Sequence, residues 1–344
     1  MKSELLSSEL EEIIKSIKII SPTTFTFHNQ LYLSKYNPQE SDANQIQFRQ
    51  SIQLELKDLL YRVYHCRKPF SGGINIAHRT EYNDIQDFTG NLSQNNTGKG
   101  TWESEWVITK LEEDGQIAVQ KNGLTLWVFP DHFKSLDGTL QVGKKGYIRM
   151  VKEFRRLLPG FYMANGDAPI DEDQRDSTTV RFYWNIINSQ ASLLMRNITT
   201  ELNKEYIPFR FKILNNPHNY PRADAAVIYL NKQYYDKSKN IIVKIYSTMK
   251  NFLNSPTPLF AKRLAPGLSL AEDPNCNESY GQHRSRILAE ALYTANTKKI
   301  NSIEETISEI DTYFANLSID INKPYLNPGD SDNYETIPES TVLV

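Results

Sequence analysis

Apolar residues recur every three or four positions in two stretches near the start of the chain, which is typical of amphipathic helices. The two stripes consist of Leu6, Leu10, Ile13, Ile17 and Ile20, and of Ile52, Leu56, Leu59 and Val63. Together they predict a helical N-terminal region over residues 1–95. Residues 83–101, NDIQDFTGNLSQNNTGKGT, are polar, rich in Asn and Gly and lack this period, so they indicate a linker or loop at the boundary.

Short alternating segments follow this boundary and predict β-strands. The segments TWESEWVITKL, GQIAVQ and LTLWVF are separated by EEDG and KNG, which suit the tight turns of an antiparallel meander. Trp102, Trp106 and Trp127 are expected to pack on one face of this meander. Further strands are predicted at YIRMVKEF, VRFYWNII, FRFKIL and AAVIYL.

Helical periodicity returns between and after these strands. The predicted helices are one with the stripe Leu194, Ile198 and Leu202, and three over residues 232–253, 283–296 and 302–315. Residues 96–344 are therefore predicted to form an α+β domain, with a curved, largely antiparallel sheet flanked by helices. LPGFYMANGD and LAPGLSLAEDP are interpreted as loops at a pocket rim. The Pro-rich tail NKPYLNPGDSDNYETIPES is expected to cross the surface or to fray.

Composition and charge restrict the function. The chain has 344 residues and a formal net charge of −2 at pH 7, so neither a nucleic acid nor a membrane is expected as a partner, and any basic site must be local. No apolar run approaches the roughly 18 residues that span a bilayer, and MKSELLSSELEEII carries acidic residues where a secretory signal is apolar. These features predict a soluble, cytoplasmic protein.

Several common catalytic motifs are not found in the sequence. GxxxxGK[ST], the Rossmann glycine fingerprint, HExxH and GxSxG are absent, which argues against the usual nucleotide, zinc-protease and hydrolase chemistry. Cys66 and Cys276, the two cysteines, lie far apart in the chain and predict neither a disulfide nor a zinc site. No cofactor or metal is therefore expected.

Arginine, lysine and tyrosine recur on the predicted strands. The recurring groups are Arg149 with Lys152, Arg181 with Tyr183, Arg210 with Lys212, and Arg222 with Tyr229. Residues two positions apart share one face of a strand, so Arg181 and Tyr183 point the same way, as do Arg210 and Lys212.

Two interpretations fit this pattern. One is a solvated face, because alternation with Phe182, Trp184, Phe209 and Phe211 is typical of a half-exposed sheet. The other is an anion site, because like charges on neighbouring strands are unfavourable unless something neutralises them. Phosphate suits such a site, since arginine presents a planar fork of donors and tyrosine adds a hydroxyl.

Six separated phrases of the sequence resemble those of the HopA-type effector family. They are LPGFYMANGD (158–167), VRFYWNI, IPFRFKILN, RADAAVIYL, KRLAPGLSLAEDP (262–274) and ESYGQHRSRILAEAL (278–292). That family includes plant-pathogen type III effectors and the lyase components of class V lanthipeptide and thioviridamide-like biosynthesis. The biosynthetic members imply a phosphothreonine/phosphoserine lyase, which acts after a separate kinase and leaves dehydrobutyrine or dehydroalanine in a ribosomal precursor peptide.

β-Elimination from a phosphorylated side chain requires a base for the α-proton, cations for the phosphate and a donor for the bridging oxygen. The order of residues along this chain is similar to that in phosphothreonine lyases of another bacterial effector group. It implies Lys212 as the base, with Tyr183 in the place of a histidine acid. The phosphate is then assigned to Arg181, Arg210, Arg222, Tyr229, Arg263 and Arg284. His283, which begins a predicted helix, is a second candidate donor.

Each of these assignments has a structural alternative. Lys212 must be neutral to accept a proton, which burial and neighbouring arginines would favour, and otherwise it is an ordinary surface lysine. The arginines can instead form salt bridges, for example Arg222 with Asp224. His218 is an alternative acid, whereas His65 is interpreted as structural or peripheral.

Two other functions stay open at this point. The same basic pocket would serve a noncatalytic module that binds phosphopeptides or a partner protein, and an effector lyase would act on folded host phosphoproteins. The partners expected for the biosynthetic lyase are a phosphorylated precursor peptide and a separate peptide kinase. The helical N-terminal region would bind the leader of that peptide or a partner protein.

Overall fold

A computed structural model of the chain describes residues 4–33, 45–69, 82–170, 178–274 and 276–338. Three helices lie in its N-terminal region: α1 (Glu4–Ser16), α2 (Gln45–Leu60) and α3 (Tyr82–Asn95). A three-stranded antiparallel sheet follows α1, with β1 (Ile17–Ser21), β2 (Thr24–Phe27) and β3 (Gln30–Leu33). A π-helical turn over Tyr61–His65 continues α2. None of the described helices is both long and apolar enough to cross a bilayer.

Two predictions for this region were wrong in detail. The first apolar stripe does not stay helical to Ile20, because α1 ends at Ser16 and the β-branched run that follows forms β1. Residues 83–101 are not a linker, since α3 extends to Asn95. Phe88 and Leu92 lie four positions apart and pack into the main core, a short stripe that the surrounding polar residues hide.

A small sheet of five antiparallel strands comes next, in the order β6-β5-β4-β8-β7. Its strands are β4 (Trp102–Leu111), β5 (Ile117–Lys121), β6 (Leu124–Val128), β7 (Phe133–Ser135) and β8 (Lys145–Arg149). Trp106 is buried in a separate core with Ile108 and Ile148. The expectation that Trp127 packs there was wrong: it lies between Leu126 and Val128, which pack on that core, so alternation turns it outward.

The chain enters and leaves this small sheet at one place. Met150 N donates to Thr101 O at 2.8 Å, which joins the two connections by a hydrogen bond. Gly100 has a positive φ of 83°, and a Cβ there would overlap the carbonyl oxygen of Met150. Only glycine therefore allows the two chains to pass so closely.

A larger sheet of seven strands forms the centre of the molecule, in the order β14-β15-β11-β13-β12-β10-β9. All neighbours are antiparallel. The strands are β9 (Glu153–Leu158), β10 (Phe161–Asn165), β11 (Thr179–Trp184), β12 (Phe209–Leu214), β13 (Ala226–Asn231), β14 (Lys262–Ala265) and β15 (Leu268–Glu272). The phrases interpreted as rim loops thus contain β10 and β15. Their glycines do form turns, because Gly160 and Gly267 have positive φ at the hairpins that precede these strands.

Helices pack on both faces of the larger sheet, which confirms the predicted α+β fold. They are α4 (Ala191–Lys204), α5 (Tyr235–Met249), α6 (Tyr280–Thr297) and α7 (Ile303–Asn316). Phe182 of β11 stacks on Tyr235 of α5 on one face. On the opposite face, Tyr183 contacts Tyr280 of α6 and His65 of the π-helical turn.

The C-terminal tail is packed against the sheet up to residue 338, where the description ends. Lys262 donates to both carboxylate oxygens of Asp332, at 2.8 and 2.9 Å. Glu272, fully buried, accepts from Asn327 N at 2.6 Å, and Lys232 donates to the same carboxylate at 2.6 Å. We call Lys232, Lys262, Glu272 and Arg284 the tail clamp. Of the two alternatives predicted for the tail, the described part therefore shows the first: it crosses the surface and does not fray.

Candidate functional site

Four residues on three adjacent strands form what we call the cationic cluster: Arg181, Arg210, Lys212 and Tyr229. In the sheet register, Tyr229 of β13 lies opposite Arg181 of β11 on one side and opposite Arg210 of β12 on the other. Paired residues share a face, and Lys212 is two positions from Arg210, so all four side chains lie on the same face. The phenylalanines between them point to the opposite, buried face, as alternation predicts.

Aromatic rings support the cations of this cluster. The Arg181 guanidinium lies 5.1 Å from the centre of the Tyr229 ring, and the Lys212 ammonium lies 5.7 Å from the same centre. The Lys212 ammonium is also 4.6 Å from the centre of the Phe161 ring. These distances allow cation–π attraction, which holds the side chains in place without neutralising them.

The cluster contains two cations that form no ion pair among the described residues. Arg210 is exposed and Lys212 is half-buried, and neither makes an ion pair or hydrogen bond within the part of the chain that the structure describes. Arg181 is buried, and its Nη2 donates to both oxygens of Asp273, at 2.6 and 2.7 Å. Burial opposes its charged form, but Tyr183, Tyr229 and Asp273 together raise its pKa above the ordinary value. It therefore stays charged.

Three buried polar atoms in or beside the cluster have no hydrogen-bond partner among the described residues: Arg181 Nε, the Tyr183 hydroxyl and Ser269 Oγ. Ser269 lies opposite Tyr183 in the register of β15 and β11, so both point to the face that carries the cluster. Burial raises the pKa of Tyr183 well above its usual value, so its hydroxyl keeps its proton as a donor. Buried polar groups without partners are rare, and several together beside unpaired cations indicate a site for an anion.

His65 is a neighbour of this site that the sequence analysis set aside as structural or peripheral. It is buried, stacked on Tyr61 with 5.1 Å between ring centres, and meets Tyr183 edge-on at 5.5 Å. Burial, with help from Arg222, Lys212 and Arg181, lowers its pKa to about 3 against the opposing effect of Asp224. It is therefore neutral at pH 7. The π-helical turn that carries it has no recognisable sequence pattern, although such turns are frequent at functional sites.

Gly281, in the first turn of α6, makes room for His65. A Cβ at this position would overlap the imidazole, with Nε2 as the nearest atom. Helix α6 thus packs against one side of the imidazole, and Tyr61 and Tyr183 pack against other sides of it.

Arg222 lies at the border of the cluster but is already paired. Its Nε and Nη2 donate to the two oxygens of Asp224, both at 2.7 Å, and Nη2 also donates to Cys66 Sγ at 3.1 Å. Burial would raise the pKa of Asp224, but Arg222 outweighs that effect and holds this pKa below its usual range. The ring of Phe161 contacts both Arg222 and Lys212. The salt-bridge alternative named for Arg222 is thus the arrangement observed.

The remaining predicted residues are not brought into the cluster. Arg263 is exposed on β14, opposite Ser269 and two strands from Arg181. Arg284 is buried and donates to the carbonyls of Pro324 and Leu326, at 2.8 and 3.0 Å, so it holds the tail.

Two histidines that were considered as acids also lie outside the cluster. Nδ1 of His283 is 2.6 Å from Arg284 Nη1, and burial followed by Arg284 and Arg286 lowers the pKa of His283 to about 4. His218 is in an exposed loop, with Nε2 3.6 Å from a carboxylate oxygen of Asp84.

One group of side chains has the composition of a metal site. In the described part of the chain, Cys276, Glu278 and His283 place their ligand atoms within 4.8 Å of one another. Arg286 Nε already donates to Glu278 at 2.7 Å, and Arg284 to His283. Two guanidinium groups beside the same ligands oppose a bound cation, so this group does not favour a metal.

A groove of about 840 Å³ lies between the small sheet and the larger sheet. Arg210 and Tyr229 of the cationic cluster line it, and so does Asp273, the partner of Arg181. Much of the remaining lining is apolar and includes Leu124 and Leu157. Arg210 and Tyr229 are thus accessible from a cavity within the size range of ligand sites, roughly 300–1,000 Å³.

Comparison with known proteins supplies a family. A model described as the HopA1 effector protein family matches residues 153–326, which is half of the chain and includes all the predicted site residues. The structure of the effector protein from Pseudomonas syringae pv. tomato strain DC3000 is similar, with 18% identity and a TM-score of 0.46, over 79% of this chain and 90% of that one.

The effector protein from Pseudomonas syringae pv. syringae strain 61 is also similar, with 14% identity and a TM-score of 0.42, over 79% of this chain and 89% of that one. No curated protein sequence matches the chain.

Proposed function

Because the chain belongs to the HopA1 effector protein family, we propose that it is a phosphothreonine/phosphoserine lyase. The observation that carries the proposal is the cationic cluster, where Arg210 and Lys212 form no ion pair among the described residues and Arg210 lines a groove. The phrases that resemble class V lanthipeptide and thioviridamide-like lyases lead to the same reaction. Its substrate in this proposal is a ribosomal precursor peptide that a separate kinase has phosphorylated.

The proposed reaction is a β-elimination in which Lys212 takes the α-proton of the phosphorylated residue. The electron pair of that C–H bond forms the Cα=Cβ double bond, and the Cβ–O bond breaks with its electron pair leaving on the phosphate. The products are inorganic phosphate and dehydrobutyrine from threonine, or dehydroalanine from serine. The reaction needs no oxidant or second substrate.

The surroundings of Lys212 suit this role. The ammonium lies between the rings of Phe161 and Tyr229, and Arg181 lies across the Tyr229 ring. These rings fix the amine on the face of the sheet that carries the arginines proposed to hold the phosphate.

The phosphate would be held by Arg210 and by the free Nε of Arg181. The buried hydroxyl of Tyr183, which keeps its proton, would donate to the bridging oxygen as it leaves. His65 is neutral and in contact with Tyr183, so it would position that ring. Arg222, Arg263, Arg284 and His283 have no part in this scheme.

A second candidate is a noncatalytic module that binds a phosphopeptide with the same cluster. The burial of Tyr183, which is 2% exposed, favours it, because a donor that substrate cannot reach would leave binding without elimination. Both functions predict a phosphate site, so turnover must separate them.

The deciding experiment is mass spectrometry of a phosphothreonine peptide incubated with the protein. Loss of the elements of phosphoric acid, with an alkene that adds a thiol, would establish the lyase. Loss of the phosphoryl group alone would indicate a phosphatase instead, and a bound but unchanged peptide would favour the binding module. A precursor peptide phosphorylated by its kinase and a folded phosphoprotein, tested in parallel, would distinguish the biosynthetic enzyme from an effector that acts on host proteins.

A further inference from the structure

The floor of the groove is long enough for an extended peptide. Residues of β9, β10, β12, β13 and β11 line it, and these are consecutive neighbours in the larger sheet. At about 4.8 Å between strands the floor spans roughly 19 Å, which is the length of about six residues of extended chain. The small sheet forms the opposite wall, through residues such as Trp106 and Leu124.

The groove carries exposed apolar side chains as well as a cation. On β9, at one end of the floor, Leu157 is 62% exposed, and Leu124 on the wall formed by the small sheet is 56% exposed. Arg210 and Tyr229 lie further along the floor, on β12 and β13. Large apolar side chains left exposed beside a polar site mark a surface where another molecule binds.

We propose that this groove binds an extended, unfolded segment of the phosphorylated substrate, with apolar side chains about three residues from the phosphorylated one. This inference rests on the proposed lyase function and specifies its substrate. The spacing follows from the sheet, since β9 lies two strands from β12, or about 10 Å, which an extended chain covers in about three residues.

Charge and access both select an extended chain over a folded surface. The phosphate would supply the anionic partner that Arg210 does not have among the described residues. Elimination also requires the α-carbon, and not only the phosphate, to approach Lys212, which is half-buried in the sheet face. A segment that enters the groove can bring its backbone there, whereas a residue on a helix or a folded surface would present its phosphate alone.

The test measures the binding of two phosphothreonine peptides to the full-length protein. One carries a pair of leucines three residues from the phosphothreonine, in versions with the pair on either side, and the other has serines at those positions. The variants are Leu157→Asn and Leu124→Asn, with Leu136→Asn as the control, because Leu136 is 68% exposed near β7 and does not line the groove. Binding is measured by fluorescence anisotropy, elimination by mass spectrometry and folding by thermal unfolding.

The leucine peptide should bind roughly tenfold more tightly than the serine peptide, and the double variant of Leu157 and Leu124 should remove that advantage. The control and the affinity for the serine peptide should not change. Equal binding of the two peptides would contradict the proposed role of the groove. So would a tighter binding of the leucine peptide that persists in the double variant, or the absence of any binding. Binding through the groove without elimination would contradict the lyase activity but not the role of the groove. Elimination of both peptides at equal affinity would contradict the role of the groove but not the lyase activity.

Discussion

The cationic cluster and the tail clamp are built from the same kinds of residue and differ in their partners. In the clamp, Lys232 donates to Glu272 at 2.6 Å, Lys262 to Asp332 at 2.8 Å and Arg284 to a backbone carbonyl at 2.8 Å. In the cluster, Arg210 and Lys212 form no ion pair or hydrogen bond within the described ranges, and Lys212 lies beside two aromatic rings. Cations that are fully bonded hold the protein together, and cations that are not are available to a ligand.

Burial makes this difference informative. A charge taken out of water requires compensation from its surroundings, and the clamp provides it with carboxylates and carbonyls. Lys212 is half-buried beside two aromatic rings and donates to no carboxylate or carbonyl among the described residues, so its charge is compensated less fully than those of the clamp. A bound anion would complete that compensation.

Replacement of Lys212 should produce the largest effect and separate the two regions. We expect Lys212→Ala to lower the elimination rate by about 10²- to 10⁴-fold, the usual contribution of a general base, without lowering the melting temperature. Lys262→Ala should do the opposite, with a loss of about 2 kcal/mol in the free energy of unfolding and an unchanged kcat, because it removes the cation paired with Asp332. Steady-state kinetics and urea unfolding check both. A Lys212→Ala enzyme with near wild-type turnover would remove this lysine from the reaction.

Arg284 tests the clamp from the side of α6. Arg284→Met should lower the free energy of unfolding by about 3 kcal/mol, because the carbonyls of Pro324 and Leu326 lose a buried donor. Arg286→Met on the same helix is the matched control, and its half-exposed ion pairs should contribute under about 1 kcal/mol. Both are measured by urea unfolding. A loss of phosphopeptide affinity in Arg284→Met at unchanged stability would contradict the clamp and return Arg284 to the phosphate site.

His65 lies between the two regions, and its titration gives a third test. Its pKa is about 3 in the fold, below the value of about 6.5 expected when unfolded, so the unfolded chain takes up a proton first as the pH falls. Stability from this group is complete above pH 6.5 and declines toward pH 3, by up to about 1.4 kcal/mol per pH unit.

The measurement is the free energy of unfolding at pH 7.5 and at pH 4.5. His65→Asn should lose about 2–3 kcal/mol less than the wild type between these values. His283 remains in both proteins, so its own lowered pKa cancels from the difference. Equal losses would mean that His65 is not held neutral.

Two glycines give the smallest predicted effects, with opposite signs. Gly281→Ala should lower the free energy of unfolding by about 1.5 kcal/mol, because the added methyl group meets the His65 ring. Gly90→Ala in α3 should raise it by about 0.8 kcal/mol, because no atom lies within 4 Å of the new methyl group and alanine favours helix. Adding His65→Ala should relieve the Gly281→Ala effect in a double-mutant cycle. Two stabilising alanines would refute the contact between α6 and the imidazole.

Local alternation made the central part of the site predictable. Arg210 and Lys212 alternate with Phe209 and Phe211, so the sequence itself separates the charged face of β12 from the buried one. The pair of Arg222 with Asp224 was also accessible, because the two residues lie two positions apart.

Other features depend on contacts that no local pattern carries. Arg181 meets Asp273 and Arg284 meets Pro324 across long stretches of chain, so which arginine is paired cannot be read from its neighbours. A π-helical turn places His65 at the site, whereas the amphipathic stripe before it predicts only that the α-helix continues. Both failures concern tertiary partners, whereas the strands and helices themselves follow the hydrophobic period.

The hydrogen bond between Thr101 and Met150, which we call the seam, joins the two ends of the segment that forms the small sheet. It has a consequence for how such proteins diversify. A segment whose two ends are hydrogen-bonded to each other can be exchanged for another of different length without displacing the strands on either side. Residues 102–149 supply one wall of the groove and none of the cationic cluster. Recombination at this seam would therefore give a descendant a new preference for the sequence around the phosphate while it inherits the chemistry intact.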